Sequence, residues 1–171
     1  MIVVYAQEPY AQYSGPFTPG RSQTLAPSLF LAGPTPRSPE VPSWRPEALR
    51  LLGELGFNGL VFVPEPRNGV WTTDYIRQTN WEWSGLSAAT TIIFWVPRVM
   101  ATMPALTTNV EFGLWVPSDK CVLGTPPGAE HVKYLHALAQ RFNTPAFENT
   151  SLKHTLQEAI KLAMKLTGAK G

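Results

Sequence analysis

The chain of 171 residues has a single cysteine, Cys121. That excludes an internal disulfide and a cysteine-rich metal site. Its setting, Lys120-Cys121-Val122-Leu123-Gly124, reads as a buried strand thiol and agrees with a reducing cytosol. Charge is also scarce, at 15% of residues, with a formal net charge of +2 and no basic run. Neither a nucleic acid polymer nor an anionic membrane surface is therefore an expected partner. No stretch approaches the ~20 apolar residues of a membrane-spanning helix. The opening Met1-Ile2-Val3-Val4-Tyr5 is too short for the apolar core of a signal peptide, so a soluble cytoplasmic protein is expected. Several motifs are missing as well. There is no G-x-G-x-x-G, no G-x-x-x-x-G-K-[ST] and no G-x-S-x-G, which argues against the usual dinucleotide, P-loop and α/β-hydrolase chemistries. The three histidines, His131, His136 and His154, fall on the two C-terminal helical segments, and their spacing supports no metal site.

What is present is apolar and stiff. Residues of the apolar classes make up 44% of the chain, with six Trp and five Tyr, enough for one domain with a substantial core. The seventeen prolines mark rigid connections. A single domain over 1–171 is expected, with residues 1–27 forming a short strand (Ile2 to Tyr5) and a proline-rich arm. A loop that long is often functional or part of an interface. Continuous apolar runs at Ser28–Gly33, Leu60–Val63, Thr91–Val96 and Cys121–Leu123 read as buried parallel strands, with Pro145–Phe147 as a short edge strand. Helical spacing lies between them, over Arg45–Gly56, Thr73–Ala88, a segment opening near Thr108, Glu130–Phe142 and Ser151–Leu166. Strands alternating with helices imply βαβ units. The expected fold is α/β, a three-layer flavodoxin-like or Rossmann-like arrangement with a mostly parallel five-stranded sheet.

In such folds ligands bind at the carboxyl ends of the strands. Of the twelve acidic residues, Glu65, Glu82 and Glu111 lie near that edge, and Glu40, Glu47, Glu54, Glu130, Glu148 and Glu158 need only a solvated role. Glu111 sits in Thr107-Thr108-Asn109-Val110-Glu111-Phe112-Gly113, just past a probable strand. Two readings are open there. Thr108-x-x-Glu111 fits a capping box, in which the glutamate serves only the helix start. Alternatively, a carboxylate at that place can attack C1′ of a nucleoside, with a second carboxylate managing the proton of the departing base.

Several blocks, in order, resemble the nucleoside 2-deoxyribosyltransferase-like family. They are Phe30-Leu31-Ala32-Gly33-Pro34-Thr35-Pro36-Arg37, Ser43-Trp44-Arg45-Pro46-Glu47-Ala48-Leu49, Phe62-Val63-Pro64-Glu65-Pro66-Arg67, Trp81-Glu82, Phe94-Trp95-Val96-Pro97-Arg98 and the Glu111 block. The resemblance covers about residues 28 to 160. It implies that Glu111 is the nucleophile, that Glu82 is the assisting carboxylate, and that Gly33 and Pro34 line the sugar site. It also implies a homo-oligomer, a small-molecule nucleoside or nucleotide as ligand, and no metal or organic cofactor. Long-known members of the family carry an aspartate six residues before the nucleophile, where this chain has Ala105. That departure bears on deoxyribosyl transfer more than on an N-glycosidic site.

The remaining candidates each have two readings. Asn109 could bond the sugar or cap the helix. Arg37, Arg45 and Arg67 could meet a phosphate or serve surface ion pairs. Trp81 and Trp83 could stack on a base or fill core and subunit contacts, and Trp95 is expected in the core. Tyr5 and Tyr10 could close the site from the arm. Besides transfer or hydrolysis at a nucleoside, two alternatives stay open: a nucleoside 5′-monophosphate N-glycosidase, and a nucleotide-binding module without turnover.

Overall fold

The computed structural model describes residues 1–10, 27–38 and 40–168. Most of the arm, from residue 11 to residue 26, lies outside the described residues. Among the described residues six strands form one parallel sheet: β1 (Ile2–Tyr5), β2 (Ser28–Ala32), β3 (Leu60–Val63), β4 (Thr91–Trp95), β5 (Cys121–Gly124) and β6 (Ala146–Phe147). Their order is β1-β3-β2-β4-β5-β6, and every pairing is parallel. The expectation of five strands is thus corrected to six. The five strands β2 to β6 follow the flavodoxin-like order 2-1-3-4-5. The sixth, β1, pairs with β3 in the register Ile2 to Leu60 through Tyr5 to Val63 and extends that edge.

Strands β2 to β5 are buried along their whole length, as parallel strands covered on both faces must be. Alternate residues serve two cores. On one face Leu29, Leu31, Val61 and Ile93 meet α1 (Arg45–Glu54) and α5 (Leu152–Thr167). On the other face Phe30, Phe62, Ile92 and Phe94 meet α2 (Tyr75–Ala88), α3 (Leu106–Trp115) and α4 (Lys133–Arg141). Helix α2 comes in closely because residue 85 is glycine, where a Cβ would stand 2.9 Å from the Phe30 ring. Ser151 caps α5 by accepting from the His154 amide, and Asp74 caps α2 by accepting from that of Arg77. His131 precedes α4 in a left-handed turn, with φ 51°, rather than lying on the helix. Among the described residues no helix is long and apolar enough to cross a membrane.

The chain leaves β2 on the α1 face and leaves β4 on the α3 face. The order reverses between these two central strands, and a crevice opens past their carboxyl ends.

Candidate active site

A cleft of about 600 Å³ occupies that crevice. One wall is the end of β2 with its loop, Ala32-Gly33-Pro34-Thr35. Gly33 has φ 149°, and a Cβ there would lie 2.2 Å from the Trp95 carbonyl oxygen, so only glycine fits. Arg45, from the start of α1, backs that wall, and Gln78 and Glu82 of α2 and Thr108 and Glu111 of α3 complete the lining.

The way α3 begins removes the capping-box reading of Glu111. The helix starts at Leu106, and its N-cap position is Ala105, at φ 58° with no side-chain capping bond. Thr108 is therefore already inside the first turn, and Thr108-x-x-Glu111 does not form a capping box. The same spacing instead stacks Thr107, Thr108 and Glu111 on one helical face, and all three line the cleft. An adjacent face carries Leu106, Val110 and Leu114, all exposed, with Leu106 at the cleft edge.

Burial and mutual repulsion govern the carboxylates. Glu111 is pushed up to about 7, first by desolvation, then by the charge of Glu82, with Arg45 pulling the other way. Glu82 is also raised by burial, against the Gln78 amide that donates to its Oε1 at 2.7 Å and against the field of Arg45. Two such groups in one cleft divide naturally into an ionised and a protonated member, the requirement for a nucleophile beside a proton donor. Among the described residues no cluster of His, Cys, Asp and Glu is arranged to hold a metal ion.

The structure brings Glu111, Glu82, Gly33, Pro34 and Arg37 to this one cleft. It does not bring Trp81 or Asn109 there. Trp81 is buried against Phe30 and Phe62, and its Nε1 donates to the Glu8 carbonyl at 3.0 Å. Asn109 lies on the far side of α3, where its Oδ1 accepts from Arg98 Nη2. Arg67 is held outside the cleft by Glu8, at 2.6 Å, and lies over the Tyr5 ring. Tyr10 packs edge-on against Phe62, Trp95 is buried and Trp83 is exposed. Arg45 does line the cleft, but its guanidinium is fully engaged: it pairs with Glu65 at 2.6 Å and donates to carbonyls of the β2 loop. Sequence reasoning missed Gln78, Trp71 and Tyr75, all on the cleft wall. Gln78 could have been found four residues before Glu82 on the same helical face. Trp71 could have been found as an aromatic in the loop beyond β3.

The sequence model of a family described as nucleoside 2-deoxyribosyltransferase like matches residues 26–129, over half of the chain and a span holding every cleft residue named above. No curated protein matches the chain.

Proposed function

The chain belongs to the nucleoside 2-deoxyribosyltransferase-like family, and from that premise we propose that its cleft breaks the N-glycosidic bond of a nucleoside or nucleotide. Glu111 in its ionised form attacks C1′, the bond from C1′ to the base nitrogen breaks, and its electron pair leaves with the base. The proton that the pair shares rests on Glu111, passes to Glu82 as Glu111 becomes the nucleophile, and is given by Glu82 to that nitrogen. The glycosyl ester on Glu111 is then resolved by a second base, which gives transfer, or by water, which gives hydrolysis. Gln78 orients Glu82, the Gly33–Pro34 loop forms the sugar wall, and Trp71 and Tyr75 offer aromatic faces to the base. The observation that carries this reading is the convergence of Glu111 and Glu82, both half-buried and both held above the usual carboxylate range, on the switch-point cleft.

A second reading adds a 5′-phosphate to the substrate. A shallower hollow of about 390 Å³ adjoins the cleft, sharing Thr35, Arg37 and Trp71 with it and lined also by Ser38 and Ser43. Arg37 is exposed and makes no ion pair among the described residues, so its fork is available to an anion. A chromatographic screen of ribo- and deoxyribonucleosides and their monophosphates, with and without acceptor bases, tests both readings alongside Glu111→Ala. Base release or exchange that the variant loses supports the chemistry, and acceptor dependence separates transfer from hydrolysis. Binding with no product selects a nucleotide-binding module, for which Ala105 at the usual aspartate position is the supporting feature.

We also read the protein as a cytoplasmic homo-oligomer. Tyr75, Ile76 and Trp83 on α2 and Leu106, Val110 and Leu114 on α3 form exposed apolar stripes, and Tyr75 and Leu106 also line the cleft. A second copy seated there covers the cleft mouth. Light scattering on the protein in solution is expected to give a dimer or larger assembly; a monomer would remove this part of the reading.

A further inference from the structure

Among the described residues lining the cleft, Arg45 is a buried cation that the carboxylate chemistry leaves without a task. It is the first residue of α1 and only 1% exposed. Its Nε donates to the Leu31 carbonyl at 3.1 Å and its Nη2 to the Gly33 carbonyl at 2.8 Å. Its Nη1 donates to Glu65 Oε1 at 2.6 Å and to Thr35 Oγ1 at 3.1 Å. Glu65 is fixed in turn by Ser43, whose hydroxyl donates to the same oxygen at 2.8 Å. A guanidinium so engaged has no fork left for a phosphate. Its contacts instead tie the tip of β2, including the Gly33–Thr35 wall, to the tip of β3.

Its charge is not used up in the same way. Glu65 touches it, but the fields of Glu82 and Glu111 also reach it across the cleft. One buried cation thus faces three carboxylates. Among the described residues the charged side chains lining the cleft are Arg37, Arg45, Glu82 and Glu111, with Glu65 behind Arg45. Arg37 is exposed at the rim, where solvent weakens its effect. Arg45 is therefore the main positive charge available to offset the repulsion between Glu82 and Glu111.

We propose that Arg45 is the positioning residue of this cleft: its fork holds the Gly33–Thr35 wall in place, and its charge keeps one of the two cleft carboxylates ionised while the other holds a proton. This rests on the reading of Glu82 and Glu111 as the reacting pair. The two tasks are separable, because a lysine keeps the charge but cannot reproduce a planar fork with five donors.

The test follows the carboxyl carbons of Glu82 and Glu111 by NMR of ¹³C-glutamate-labelled protein through a pH titration, assigned with Glu82→Gln and Glu111→Gln. The pH dependence of base release is measured in parallel. Arg45→Met is expected to raise the Glu111 midpoint by about one pH unit or more, because an opposite charge is removed. Arg45→Lys is expected to keep it within about half a unit, yet to lower kcat/KM roughly ten-fold or more through the loosened wall. Because Arg45→Met can fail to fold, Glu65→Gln provides the opposite perturbation. It frees Arg45 of its nearest anion and is expected to lower both carboxyl midpoints. Midpoints that stay in place in every folded variant, whatever happens to melting temperature, overturn the proposal and leave Arg45 a purely structural anchor. Midpoints that move as expected in a protein with no N-glycosidic turnover support the charge role and refute the proposed function instead.

Discussion

Replacing Glu111 by glutamine is expected to make the protein more stable, and the size of the gain should depend on pH. The folded protein holds the Glu111 carboxyl up to about 7, against 4.5 for the free side chain. Below pH 4.5 the group is neutral in both folded and unfolded chains. Between 4.5 and about 7 the folded chain keeps a proton that the unfolded chain has released. Stability from this group therefore falls as pH rises through that window and stays low above it. The difference between 4.5 and about 7, at ~1.36 kcal/mol per pH unit, corresponds to about 3 kcal/mol. Glu111→Gln removes that cost, and with ~2–4 °C per kcal/mol for a chain of this size the melting point at pH 8 rises by roughly 6–12 °C. Urea denaturation of both proteins at pH 4, 6 and 8 reads it directly. The expected gain is near zero at pH 4 and largest at pH 8. A gain equal at all three values would refute the electrostatic argument. So would a loss of ~1 kcal/mol at pH 8, the signature of a helix cap removed.

Two other predictions concern the walls. Gly33→Ala places a methyl 2.2 Å from the Trp95 carbonyl oxygen and 2.9 Å from the Trp44 ring. It is expected to cost about 3 kcal/mol or more, seen as a lower denaturation midpoint, together with loss of turnover; a neutral outcome would mean that the loop can move. Trp71→Ala, at an exposed residue, is expected to change stability by under ~1 kcal/mol and to raise KM ten-fold or more through lost stacking. Trp81→Ala, in the core, is expected to cost about 3–5 kcal/mol. The reverse pattern would exchange their roles.

Much of this fold could be read from the chain because parallel strands covered on both faces must be apolar throughout. Leu60–Val63 appears in the sequence as an unbroken apolar run with the bounds found in the structure, and Ser28–Gly33 as one that overruns β2 by its glycine. The start of α3 was not legible. Nothing in the sequence announces a left-handed alanine at 105, and a spacing of three serves a capping box and a helical face equally well. Helix geometry could have sorted the neighbours. Successive residues turn by ~100°, so with Glu82 facing the cleft, Trp81 turns to the sheet and Trp83 to the surface. Asn109, two residues before Glu111, is rotated by roughly 200° and points away for the same reason. Arg45 was legible only as a charge, because whether an arginine at a helix start is buried depends on β2 and β3 meeting above it.

The most direct test of the central claim is to trap the glycosyl ester. The protein is incubated with nucleosides carrying a 2′-fluorine, which slows both formation and breakdown of the ester, and intact and peptide masses are measured. The expected result is one sugar adduct per chain, carried by the peptide containing Glu111 and absent from Glu111→Gln. Base release with no adduct, or an adduct on any other residue, would contradict the assignment of Glu111 as nucleophile.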